Sequence, residues 1–167
     1  AFLIDCYYCG NKFSPMAAIQ RTLILIKPDA LQRDLVGEII HRFERKGLKI
    51  IGMKMLQLQD AVLDEHYAHI VDKPFYADVK NFMMSSPVIG LVLEGVEAIS
   101  AVRLILGPTK AYTADAGSIR GDLAIAVATN LVHASDSEEN ASAEITRFFK
   151  PEELFVYEKI TDKFFTE

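Results

Sequence analysis

The chain has 167 residues, half of them hydrophobic and a quarter charged, with a formal net charge of −5. That length suits a single domain with a sizeable core, and the negative balance argues against nucleic acid as a main partner, because backbone binding is driven by Lys and Arg. No apolar run approaches the ~20 residues that span a bilayer, and no basic region precedes the first residues, where Asp5 interrupts the apolar character; no membrane partner and no signal peptide are expected, and the expected compartment is the cytoplasm.

The first cysteine-bearing stretch, Cys6 to Cys9, has no second pair to complete a zinc site, and it lies ahead of the first convincing strand. It reads as a peripheral extension over residues 1–19. Met16 is a candidate start, which would make residues 1–15 an added leader or a splice variant. The β-branched run at residues 21–26 reads as a buried central strand, ended by Lys27, Pro28 and Asp29. Asp34 is an expected N-cap, and Val36, Ile39, Ile40 and Phe43 recur at helical spacing up to Gly47. Residues 49–58 read as a second strand, 60–69 as a helix, 76–84 as a helix after Pro74, and 88–93 as a third strand. Residues 96–106 are expected to be helical, stopped by Gly107 and Pro108. Residues 109–121, rich in Thr, Ser, Asp and Gly, form an expected loop long enough to suggest a binding role. A fourth strand is expected at 123–127. Ser137 caps a last helix with Glu138 and Glu139 in its first turn and Ile145, Phe148 and Phe149 on its inner side. The aromatic tail from Pro151 is expected to pack on a neighbour. The order matches an α+β, ferredoxin-like βαββαβ sandwich: a four-stranded antiparallel sheet with surrounding helices.

His133 is the most informative residue. It follows a short apolar run and precedes helix-starting residues, a place where backbone N–H donors favour anions. A lone histidine is more often structural, and His41, His66 and His69, in amphipathic helices, are given that reading. For His133 a nucleophilic role stands beside the structural one. Glu144, one to two turns into the next helix, could fix the tautomer and leave the other ring nitrogen free to attack. Lys27, Arg103, Arg120 and Arg147 each read as surface charges taken singly, but Lys27 directly follows an apolar strand, Arg120 closes the long loop ahead of another strand, and cations converging on one cleft would clamp phosphates.

Several segments in the right order make residues 20–167 resemble the nucleoside diphosphate kinase family. They are Ile26 through Asp29, Val36 through Ile40, Lys73 through Tyr76, Gly117 through Asp122, and Asn130 through Ser137. The resemblance implies that His133 takes the γ-phosphate of a nucleoside triphosphate and passes it to a nucleoside diphosphate in a ping-pong reaction. It implies that Lys27 meets the sugar hydroxyl and the transferring phosphoryl group, and that Tyr67 sits against His133 and helps position Lys27. Arg103, Thr109 and Arg120 would hold phosphates, Asn130 the sugar hydroxyls, and Phe75 and Val79 the two faces of the base. Ser135 and Glu144 would orient His133. Mg²⁺ would be carried mainly by phosphate oxygens and water, with no protein ligand assigned and Asp136 only an outer-sphere candidate. Self-association to a hexamer or tetramer is implied, and the mean hydropathy of +0.16 suits buried subunit contacts. The chain departs from the family pattern at Val79, at Ala134 where Gly is commoner, and over residues 110–113, which lack the usual Asn-Pro. The rival reading is a nucleotide- or protein-binding module on the same fold.

Overall fold

The computed structural model describes residues 18–162. Strands β1 (Ile19–Ile26), β2 (Lys49–Leu56), β3 (Val88–Val96) and β4 (Val132–Ala134) form one sheet in the order β2-β3-β1-β4. Every neighbouring pair is antiparallel. Helices α1 (Pro28–Gln32) and α2 (Val36–Arg45) link β1 to β2, and α3 (Asp60–His66) and α4 (Tyr76–Met84) link β2 to β3. Helices α5 (Ala98–Leu106) and α6 (Ile119–Leu123) lead into β4, and α7 (Glu138–Phe148) follows it. The arrangement is the ferredoxin-like α+β fold expected from the element order.

Strand alternation sorts the core into two layers. Ile24 and Ile26 of β1 pack with Ile39, Phe43, Leu91 and Val102, under α2 and α5. Leu23 and Leu25 point the other way and pack with Leu63, Met83, Val92 and Phe148, under α3, α4 and α7. Partners across an antiparallel ladder share a face. His133 stands opposite Leu25, so its imidazole emerges on the α3/α7 side, while Val132 and Ala134 join the α2/α5 core.

Four expectations are corrected. The fourth strand is Val132–Ala134, not 123–127. Leu123 ends α6, which Ser118 caps by accepting the Gly121 N–H at 3.0 Å, and Ile125 is 76% exposed, with no layer to cover it as a strand residue. A short apolar run carries no signal that separates the two outcomes. Asp34 is not the N-cap; it takes a positive φ of 57° and Leu35 precedes the helix. The helix expected over 60–69 breaks after His66 and resumes as a single 3₁₀ turn, Ala68–Ile70. The 109–121 segment is not a plain loop, for it holds the 3₁₀ turn Ala111–Thr113 and the start of α6. In the tail, the Phe155 N–H donates to the Ile51 carbonyl at 2.7 Å, while the Phe155 and Val156 side chains stay exposed. The Cys6/Cys9 leader lies outside the described residues.

Candidate active site

His133 occupies the middle of β4 rather than a strand-to-helix junction, so its backbone is tied into the sheet against Leu25. Its neighbour Ala134 shares this strand conformation and does not adopt a positive φ, so the methyl where the family more often has Gly strains nothing.

Glu144 reaches down from α7. One carboxylate oxygen, Oε1, pairs with His133 Nε2 at 3.0 Å, and the other, Oε2, accepts the Ser135 hydroxyl at 2.6 Å. Ser135 Oγ in turn accepts the Leu23 N–H of β1 at 3.2 Å, which anchors the chain of contacts to the central strand. Burial pushes the Glu144 pKa up, but the bonds from His133 and Ser135 and the nearby imidazoles outweigh it and hold the carboxyl below the usual range. An ionised carboxylate only accepts, so Nε2 carries the proton. Nδ1 is left as the nitrogen of His133 with no partner among the described residues.

The imidazole opens into a cavity of about 560 Å³ whose wall includes Lys27, Tyr67, Arg103, Thr109, Arg120 and Asn130. Lys27 follows β1 directly and donates from Nζ to Asn130 Oδ1 at 2.7 Å. The Asn130 amide donates onward to the Thr109 carbonyl at 3.0 Å. Leu131, fully buried at a positive φ of 71°, turns this strip inward. The turn is clipped at both ends: Lys27 N–H donates to the Leu131 carbonyl, and Leu131 N–H to Asp29 Oδ2. Desolvation, and then the charge of Arg120, lower the Lys27 pKa to about 8, against a smaller raising effect of Asp29.

Arg120 is buried in α6, not on a loop closing onto a strand. Its guanidinium donates to the carbonyls of Asn130, Gly107 and Val132. Desolvation, with Arg103 nearby, lowers its pKa to about 10. Gly121, next to it, admits no side chain, since a Cβ there would fall 2.0 Å from the Asp115 carbonyl oxygen. Arg103 stands in the last turn of α5, exposed toward the cavity.

Phe75 and Val79, the pair expected to contact the base, are not brought to this wall. Phe75 sits before α4, 51% exposed, and Val79 is half-buried against the α3/α4/α7 core layer. Neither lines the cavity. Tyr67 does, but the ring packed on His133 is His66, edge to face with centroids 4.5 Å apart; Tyr67 packs on His66 at 4.6 Å. His66 is the ring neighbour of His133 that the sequence pattern does not single out. The available signal was its position three residues after buried Leu63 on the apolar face of α3.

A sequence profile of the family described as nucleoside diphosphate kinase matches residues 20–154. A nucleoside diphosphate kinase of Parabacteroides distasonis is 50% identical over 140 residues, covering 84% of this chain and 92% of that protein. The structure of a halophilic nucleoside diphosphate kinase from Halobacterium salinarum in complex with CDP superposes with a TM-score of 0.87 at 38% identity, covering 90% of this chain and all of the other. A transition-state mimic of the Borrelia burgdorferi enzyme, with bound vanadate and ADP, gives a TM-score of 0.82 at 34% identity and covers 88% and 96% of the two chains.

Proposed function

The chain belongs to the nucleoside diphosphate kinase family, whose members are phosphotransferases, and we propose that His133 is its phosphoryl carrier. The observation that carries the reading is the pairing of Nε2 with Glu144 beside a cationic cavity. The carboxylate holds the proton on Nε2 and stabilises positive charge as the ring reacts, so the Nδ1 lone pair is the nucleophile. It attacks the γ-phosphorus of a nucleoside triphosphate; the N–P bond forms as the bond to the β–γ bridging oxygen breaks, and the diphosphate leaves with that electron pair. The reverse step, on a second nucleoside diphosphate, restores the imidazole.

Phosphoryl transfer asks mainly for alignment and charge neutralisation. Arg103 and Lys27 supply positive charge at the cavity wall. Arg120 contributes a buried positive charge while bracing Gly107, Asn130 and Val132. Asn130, fixed by Lys27 and Thr109, is placed to meet sugar hydroxyls. Phe75 and Val79 would meet the base outside the cavity proper, where Phe75 offers an exposed aromatic face for that contact.

The donor set suits magnesium that arrives on the nucleotide. Glu144 is engaged by His133 and Ser135, and Asp136 accepts the Asn140 amide at 2.7 Å, which leaves Asp136 suited to an outer-sphere contact through water. Bound, the ion neutralises phosphate charge. The same reading places the protein in the cytoplasm and assembles it as a hexamer or tetramer. Exposed Met53 and Met55 on edge strand β2, with Leu104 and Ile125 elsewhere, support subunit contacts. Among the described residues no helix is long and apolar enough to cross a membrane. Residues 1–19 are proposed as an extension outside the catalytic domain.

Initial rates at several concentrations of ATP and GDP test the ping-pong step. Parallel double-reciprocal lines are expected; lines that intersect would mean direct transfer between two bound nucleotides and would reject the carrier.

A further inference from the structure

At the cavity wall three potential ligand residues converge. His66, His133 and Glu144 each offer one ligand atom, and these atoms all lie within 4.8 Å of one another. Glu144 Oε1 is the hub, 3.0 Å from His133 Nε2 and 3.7 Å from His66 Nδ1. His66 is 94% buried by its 6% relative exposure, and neither of its nitrogens has a hydrogen-bond partner among the described residues. A buried imidazole with no partner is costly for the protein to keep, and the cost falls if the nitrogen gains a ligand. We propose that His66, His133 and Glu144 form a binding site for a borderline transition-metal dication such as Zn²⁺, and that its occupancy switches the phosphoryl carrier off. The switching half rests on the carrier role of His133; the binding half does not.

The chemistry of the donors fits zinc. Two imidazole nitrogens and one carboxylate oxygen with a fourth, open position make an ordinary tetrahedral zinc set. Bonds of about 2.0–2.1 Å put tetrahedral ligands about 3.4 Å apart, so the His133–Glu144 spacing fits as it stands and His66 must close by a modest side-chain rotation. Burial keeps the His66 ring neutral, with its pKa lowered to about 3, as a metal ligand requires. Ser135 holds the second Glu144 oxygen and so orients the carboxylate for single-oxygen ligation. Magnesium, which prefers six oxygens, is a poor match for two imidazoles.

On binding, a Zn–Nε2 bond forms on His133 as the ring changes tautomer: the Nε2 proton leaves to solvent and Nδ1 takes one up from solvent, so the coordinated imidazole stays neutral. The Glu144 hydrogen bond that orients the ring is lost, and the metal draws electron density from the imidazole. Nδ1 then carries the ring proton and has no lone pair with which to attack phosphorus.

The test uses the full chain carrying C6S and C9S, so that thiolates cannot compete, with no nucleotide present. Zn²⁺ is titrated by calorimetry, and Co²⁺ is added separately to read its visible absorption. Zinc binding at one site per chain with tetrahedral cobalt bands is expected. His66→Phe, which keeps a ring against Tyr67, His133 and Phe148, should weaken zinc binding by about tenfold or more and should relieve zinc inhibition measured against that variant's own zinc-free rate. His69→Ala, a cavity-wall imidazole outside the cluster, should leave zinc affinity unchanged. No zinc binding up to about 100 µM, or equal affinity in the parent and His66→Phe, would overturn the site. Zinc binding that depends on His66 but leaves phosphoryl transfer unaffected would overturn the switch. If zinc binds through His66 while the chain never becomes phosphorylated, the carrier reading fails and the metal site stands.

Discussion

Glu144 binds His133 Nε2 with one carboxylate oxygen, at 3.0 Å, and the Ser135 hydroxyl with the other, at 2.6 Å. The ring is therefore fixed in tautomer and in direction by a group that is itself fixed to β1. In Glu144→Gln the negative charge opposite the ring is gone while the shape is kept. The maximal rate of phosphoryl transfer should fall by about 10²-fold or more, with little change in nucleotide KM. Steady-state kinetics on the purified variant checks this; an unchanged kcat would show that the pairing is only structural.

Arg120 donates to three carbonyls from separate segments, at Gly107, Asn130 and Val132. Its removal should cost stability as well as nucleotide binding, about 3 kcal/mol or more, because buried acceptors lose their donors. Arg120→Lys should recover little of that stability, since an ammonium cannot span the fork. Urea unfolding of both variants at pH 7 gives the answer. A variant as stable as the parent would reassign the residue to phosphate binding alone.

Lys27 has its pKa lowered to about 8, chiefly by burial and then by Arg120. The group is charged below that value and loses its proton above it. If its charge meets a phosphate, kcat/KM for ATP should hold up to about pH 8 and then fall by about tenfold per pH unit. In Lys27→Gln the profile should be low and should lack that limb. A pH–rate series on the two proteins distinguishes the outcomes, and an identical limb in Lys27→Gln would assign the titration elsewhere.

His66 is held neutral mainly by burial and next by the adjacent His133, with its pKa lowered from 6.5 to about 3. Between those values the unfolded chain binds a proton that the native chain does not. Stability is thus full above about pH 7 and declines as the pH falls through the ordinary histidine value. From pH 7 to pH 5 this single group should remove about 2 kcal/mol. His66→Phe should show a shallower loss over the same interval in urea unfolding. An equal slope in both proteins would mean that His66 takes up its proton in the folded state.

The sheet and most helices were legible because their hydrophobic periods are clean: Val36, Ile39, Ile40 and Phe43 fall on one face of α2, and the strand at β1 needs no context. The fourth strand was not, since residues 123–127 and 131–134 are both short apolar runs. Only pairing with β1 and the capping of α6 by Ser118 decide between them. Within the site, His133 and Glu144 were visible as an imidazole with a carboxylate one helix later. His66 was not, because a histidine on an amphipathic helix gives no sign of which layer its helix covers. Its proximity to His133 exists only once α3 is packed over the face of the sheet that carries Leu25. Phe75 and Val79 show the opposite case: they matched a motif that implies base contact, yet the described fold sets them apart from the cavity that the other candidate residues line.

The carrier role of His133 is tested most directly by incubating the protein with γ-labelled ATP in the absence of acceptor. A label that is acid-labile, alkali-stable, released by added GDP, and missing in His133→Ala is expected. A folded protein that takes up no label, or a His133→Ala variant that is still labelled, would contradict it.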